Sequence, residues 1–450
     1  MSVAEEVIAK IKKKSAEAIQ EPFKQFIRSS SSGGILLIIA TVCAIIIANS
    51  PLGLSYETFW ETKFTIGADF FKVSKPFILW LNDGLMAIFF LLVGLEIKRE
   101  FIAGELASVR KAAFPLIAAI GGMILPITFF TILNKDGVGS QGWGIPMATD
   151  IAFSIGILSL LGKRVPIALK VFLVTFAIVD DIGAVLVIAC FYSEQILWSS
   201  LIIAALLFVF LIILNLLHVK KVSIYMITGS IIWYLFLMSG VHPTIAGVLL
   251  AFTIPLKRRV PIEDLNNKLI NFMQDLNSKP SENSIVLSKS QIISLNSMGK
   301  YIKSALSPLQ TLENTLHDFV TFIVMPLFAF ANTGIIFGNL NVEIFNELTV
   351  NISTSLILGK VTGIFLFSYI AVKIGIATLP KNVNWKHILG IAMLGGVGFT
   401  MSLFISSLAY TDIVILNQAR IGILLGSLIA ATLGYLFLKA NLKKDFYSNN

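Results

Sequence analysis

Four ionisable residues stand deep inside apolar runs: Asp150, Asp180, Asp181 and Lys360. Asp180 and Asp181 are adjacent, the ninth and tenth of twenty residues in FLVTFAIVDDIGAVLVIACF. On a helix successive side chains lie about 100° apart, so the two share a depth and face different neighbours. In a low dielectric, ionising one opposes ionising the other. A lysine facing one of them would hold it charged and leave the other to bind either a proton or a small cation. Proton and cation then become mutually exclusive ligands, the minimum that exchange requires. Hard carboxylate, hydroxyl and carbonyl oxygens suit Na+ or Li+, and also suit Ca2+. No cluster of His and Cys supports a transition metal.

The elements that carry these residues are membrane spans. The chain has 450 residues, 56% hydrophobic and 14% charged, against about 25% charged in soluble domains. Its mean hydropathy is +0.84. Apolar runs long enough to cross a hydrocarbon core about 30 Å thick recur along its length. Their backbone must be satisfied internally, which makes this an all-α polytopic membrane protein; the short alternating segments of a β-barrel are absent. The runs suggest about twelve transmembrane helices, with cores near 33–50, 76–97, 112–133, 142–162, 166–192, 197–217, 222–239, 241–256, 313–338, 352–377, 386–409 and 417–439. Cys43 and Cys190 lie in such runs and read as small buried hydrophobes rather than a disulfide or metal pair.

Around the transmembrane domain, 33–440, the sequence suggests a basic tail, 1–32, a polar insertion, 257–311, and a short C-terminal tail, 441–450. No cleaved signal peptide is expected. In the first tail Val7, Ile8, Ile11, Ile19, Phe23, Phe26 and Ile27 could line a surface helix, with a flexible tail the equal alternative. The insertion reads as a mobile loop with a weak amphipathic helix near LNNKLINFMQDL. With a cytoplasmic N-terminus, inner segments hold 29 of the 35 basic residues; the outer loops hold Lys63, Lys72, Lys75, Lys135 and Arg420. That bias agrees with the positive-inside rule and puts both termini and the insertion in the cytoplasm. The net charge of +9 therefore reflects topology and contact with anionic lipid, and no basic domain supports a nucleic-acid partner.

A charge at mid-bilayer costs at least ~2.5–3.5 kcal/mol, so each such residue needs a partner, a water cavity or neutralisation. Three acids and a lysine together point to a transport or catalytic pathway. Two spans also carry helix breakers. GWGIPMATDIAFSIGIL has Pro146 just before Thr149 and Asp150, and ILGIAMLGGVGFTMSLFIS has Gly395, Gly396 and Gly398 before Thr400. Discontinuous helices in corresponding places of two halves mark a transporter site at the midplane. An intramembrane aspartyl protease would need GxGD, and here Gly396-Val397-Gly398 is followed by Phe399. A cation channel would favour rings of acids or carbonyls. A different cation- or proton-coupled transporter on a related fold stays open on the residues alone.

The strings LNDGLMAIFFLLVGLEIKRE, GWGIPMATDIAFSIGIL, FAIVDDIGAVLVIA, SGVHPTIAGVLLAFTIPL, MPLFAFANTG and GGVGFTMSLFI occur in order over roughly 33–440. They resemble the NhaA family of sodium/proton antiporters. The resemblance implies a transporter, not an enzyme, built of twelve helices with inverted repeats and two crossing discontinuous helices, the fourth and eleventh. It implies electrogenic exchange of intracellular Na+ or Li+ for external H+ by alternating access, in the inner membrane, serving pH and sodium homeostasis, with no cofactor. Asp181 would be the principal Na+ ligand with Asp180 beside it, and Asp180 the partner of Lys360. Asp150 and Lys360 would balance the dipole ends of the broken helices, and Thr149 would line the site. Glu96, Arg99, Glu100, Glu313 and His317 match positions concerned with pH regulation; better-known members carry histidine where this chain has Asn314. His242 matches a family histidine, although its own setting reads as structural; His218 and His387 read as interfacial. The first outer loop, 56–73, alternates around Gly67-Ala68-Asp69 as a β-hairpin does, and the resemblance implies that it pairs with its copy in a homodimer.

Overall fold

The computed structural model describes residues 32–68, 71–134, 137–193, 196–257, 262–277, 289–336 and 345–442. The expected tails lie almost wholly outside them. Helices α1 (Ser32–Ala48) and α2 (Gly53–Glu61) meet at 110°. Strands β1 (Lys63–Ala68) and β2 (Phe71–Pro76) then pair antiparallel, from Lys63 opposite Pro76 to Ala68 opposite Phe71. The helical spans come next: α3 (Phe77–Ala103), α4 (Val109–Leu133), the stretch Ser140–Leu160 ending in α5 (Ile151–Leu160), α6 (Ile167–Phe191), α7 (Trp198–Leu216) and α8 (Val222–Ser239). After them stand α9 (Thr244–Thr253), α10 (Ile262–Asn277), α11 (Lys289–Ala305), α12 (Pro308–Asn332) and α13 (Glu347–Lys373). Last are α14 (Trp385–Gly395) and α15 (Phe399–Ala409), bent by 41° across their break, and α16 (Ile413–Asn441). Among the described residues nine helices are long and apolar enough to cross a membrane, or up to eleven with each bent pair taken as one span. The eighth expected segment holds α9, ten residues long.

The described residues form two compact units. One draws on described residues within 32–82, 103–192 and 321–442, the other on described residues within 83–102 and 193–320. In the first, α4 lies along α13 through glycines: a Cβ on Gly359 would stand 2.6 Å from Pro126 Cα, and one on Gly121 would strike the Gly363 carbonyl. Small residues are what allow membrane helices to approach this closely. In the second unit Lys98 is buried and caps the end of α9, its Nζ donating to the carbonyls of Phe252 at 2.7 Å and Ile254 at 2.5 Å. A cation there meets the negative end of that helix.

Several expectations are corrected. The hairpin runs from Lys63 to Pro76, and residues 56–61 are helical. Tyr56 and Trp60, one turn apart, both set their rings against Phe330 at 5.5 and 6.3 Å, so tertiary packing selects the helical period over the alternating one. Among its described residues the insertion contains two helices, α10 and α11, before α12 begins at Pro308, instead of a loop with one. Arg420 is buried inside α16, its Nη1 donating to Asn417 Oδ1 at 3.2 Å, and is no outer-loop residue. His387 is buried too, closing a capping box with Asn384 at the start of α14. Cys43 and Cys190 are exposed, because the lipid-facing side of a span is as apolar as its core.

Candidate ion-binding site

Asp180 and Asp181 stand in the middle of α6, each 1% exposed. Lys360, fully buried on α13, places Nζ 2.6 Å from Asp180 Oδ2. The ammonium also lies 5.7 Å from the ring centroid of Phe176, one helical turn before Asp180. A π turn, Ser355–Gly359, immediately precedes Lys360. Such a turn inserts one extra residue and rotates the remainder of the helix by about 100° relative to an unbroken one. It is held by Asn351, which donates to the Phe130 carbonyl at 3.0 Å and accepts from Ser355 Oγ at 3.1 Å. Lys360 therefore owes its direction to a local fault in the helix and to the tight contact at Gly359. Gly359→Ala is expected to lower stability by about 1–3 kcal/mol and to disturb the Lys360–Asp180 contact. A thermal melt in detergent beside the pH profile of exchange reads both effects, and a variant unchanged in both removes Gly359 from this role.

Both helix interruptions lie in the same unit and are hydrogen-bonded to each other. Residues Ser140–Met147 form a 3-10 helix containing Pro146; Ala148 is extended, and Asp150 caps α5 by accepting from Phe153 N at 2.9 Å. Across the two breaks, Asp150 N donates to Val397 O at 2.7 Å and Thr149 Oγ1 to Gly395 O at 2.9 Å. Ser154 Oγ donates to Leu394 O at 3.0 Å and Ser402 Oγ to Ile145 O at 2.8 Å. In return, Asp150 Oδ2 accepts from Thr400 N at 3.1 Å and from the Thr400 hydroxyl. One carboxylate thus serves the N-termini of α5 and α15 together, where helix dipoles favour negative charge. The close approach depends on glycine: a Cβ on Gly398 would stand 3.1 Å from Ala148 O. The sequence marks Asp150, Thr149, the glycines and the Thr400 that follows them; Ser154 and Ser402 are added by the structure, and hydroxyls one turn from the breaks are their only signal.

The site thus offers two buried carboxylates, one lysine and nearby hydroxyl and carbonyl oxygens. Among the described residues no group of three or more His, Cys, Asp or Glu could hold a metal. Ca2+ takes six to eight oxygens, typically with several carboxylates, so the donor set is better matched to a monovalent ion. Thr149 lies alongside Asp180.

The charges on α3 and α12 form a separate cluster in the other unit. Arg99 lies 3.2 Å from Glu100 and 3.3 Å from Glu313. Glu96 feels Glu313, Arg99 and Glu100, while His317 is exposed one turn after Glu313 and acts on it electrostatically. His242 bonds Thr244 Oγ1 through Nδ1 at 2.7 Å and lies 3.7 Å from Asp83.

A many-helix membrane protein with a lysine-paired aspartate beside two mutually bonded helix breaks is an ion transporter by class. The family model described as Na+/H+ antiporter 1 matches residues 24–438. A protein named Na(+)/H(+) antiporter NhaA from Bacteroides fragilis is 45% identical over 94% of this chain and 98% of its own length. Proteins of the same name from Bacteroides thetaiotaomicron, 43% identical over 94% and 98%, and Helicobacter acinonychis, 44% identical over 96% and 99%, are similarly close. The chain belongs to the NhaA family of Na+/H+ antiporters, which are transporters and not enzymes and exchange Na+ and H+.

Proposed function

We propose that this chain exchanges intracellular Na+ or Li+ for external H+ by alternating access, electrogenically, with proton and cation competing at Asp181 and Asp180. The observation that carries the reading is the buried Lys360–Asp180 pair at 2.6 Å beside a second buried carboxylate. It divides the work: Lys360 neutralises Asp180, and Asp181 alternates between proton and cation. Pair and lysine together supply more than one protonatable group per cation, as electrogenic exchange requires. Asp150 keeps the ends of the two discontinuous helices together, and Thr149 lines the site. The breaks are read as the crossing of the fourth and eleventh spans, within inverted repeats. No cofactor takes part.

The basic-residue bias supports cytoplasmic termini and a cytoplasmic insertion, and membership of the family supports a place in the bacterial inner membrane and a role in pH and sodium homeostasis. The Glu96, Arg99, Glu100, Glu313 and His317 cluster is the candidate pH-responsive element. The hairpin, now 63–76, is the candidate homodimer contact: an isolated two-stranded ribbon is marginal alone, and its Phe64 and Ile66 are exposed.

The test is a proteoliposome carrying an imposed pH gradient. Na+ or Li+ is expected to collapse the gradient, and K+ or Ca2+ to leave it standing. Collapse by Ca2+ alone, or by no cation, overturns the reading.

A further inference from the structure

Helix α11 has two apolar sides, and its partner helix uses only one of them. Its inner side carries Tyr301. Tyr301 meets Phe272 of α10 at 6.4 Å between centroids, and Lys268 of α10 places its Nζ 4.5 Å above the Tyr301 ring. A second stripe, Ile292, Leu295 and Ile302, recurs at helical spacing on the exposed side. Beside it Ile293 is exposed, as are Ile270 and Met273 on α10. Water is a poor neighbour for so many aliphatic side chains on one small helical pair, and an apolar patch of this kind marks a contact surface.

Its position in the chain says what covers it. Two residues separate the end of α11 at Ala305 from Pro308, where the membrane-spanning helix α12 begins with a Ser307–Gln310 capping box. Eight residues separate α9 from α10. The pair is therefore tethered at both ends within a few residues of apolar helices of the membrane domain. The segment 257–303 carries eight basic and four acidic residues, so it is cationic. An amphipathic helix with aliphatic residues on one side and lysines at its polar edge lies in the interfacial plane of a bilayer and favours anionic lipid.

We propose that the α10–α11 pair rests on the adjacent membrane surface, with the Ile292–Leu295–Ile302 stripe at the boundary of headgroups and acyl chains and the basic residues on anionic headgroups. The insertion is then a membrane-bound element, not a free loop. The test uses the full chain with Cys43→Ser and Cys190→Ser, carrying a nitroxide at Leu295→Cys or at Asn271→Cys, whose exposed side chain points away from Met273 on α10. Each is reconstituted into phosphatidylcholine vesicles with and without phosphatidylglycerol. Spin-label accessibility is read with oxygen, which concentrates in the bilayer, and with a water-soluble nickel chelate. The Leu295→Cys label is expected to gain oxygen and lose nickel accessibility, further so with phosphatidylglycerol, while Asn271→Cys stays open to nickel. Equal nickel access at both labels overturns the proposal. So does a Leu295→Cys label closed to both reagents, which would mean a protein partner or a second copy. Lipid contact that ignores phosphatidylglycerol overturns the anionic-headgroup half.

Discussion

Asp181→Asn is expected to abolish exchange. In vesicles with an imposed pH gradient, Na+ or Li+ should then dissipate it no faster than in protein-free vesicles. The substitution keeps the shape of the side chain and one of its oxygens, so the packing of α6 is preserved. It removes the ability to be an anion in one state and a neutral acid in another. A cation site that a proton can empty needs that alternation, and an amide is neutral throughout. Asp180 cannot replace it while its charge is committed to Lys360 at 2.6 Å. The same change has the opposite expectation for stability: removing a buried charge lifts a burden of at least ~2.5–3.5 kcal/mol on insertion scales, so the melting temperature should hold or rise. Ordinary exchange by this variant defeats the reading. Loss of exchange together with a lowered melting temperature would make the loss a folding defect.

The features legible in the sequence are those set by local forces. A run of twenty apolar residues needs no tertiary partner to declare itself a span, and Pro146 or Gly395-Gly396 declares a break because it alters the backbone where it stands. The partners of those breaks are another matter. Asp150 N meets Val397 O, and Thr149 meets Gly395 O, across some 250 residues of sequence, and no periodicity encodes such a pair. The π turn ahead of Lys360 is silent for a related reason: SLILG reads as ordinary helix, and the extra residue is accommodated only because Asn351 and Gly359 have α4 to lean on. Tyr56-Glu57-Thr58-Phe59-Trp60 satisfies a strand pattern and a helix pattern at once, and Phe330 decides between them. Arg420 and the cysteines depart from expectation because apolar neighbours in sequence say nothing about whether lipid or protein lies outside them. The Lys360–Asp180 pair is named through family resemblance; the residues themselves show only that a lysine so deep must meet an acid.

That pair sets the second large expectation. Lys360→Met is expected to destabilise the chain by about 3–5 kcal/mol, because it leaves the Asp180 carboxylate buried without its compensating charge. Asp180→Asn in the same background removes the stranded charge, and the double variant should recover most of the loss. Buried ion pairs replaced whole by neutral side chains of similar size are often near neutral in stability, whereas pairs broken from one side are not. The comparison separates two meanings of the Lys360–Asp180 pair that a single substitution confuses. If the pair serves the fold alone, the double variant regains both its melting temperature and the native pH profile of exchange. If the pair also takes part in exchange, the melting temperature returns and the pH profile stays shifted, because Asp180 and Lys360 have left the set of groups that trade protons for the cation. A double variant no more stable than Lys360→Met alone would mean that the 2.6 Å contact is not what Lys360 contributes to stability.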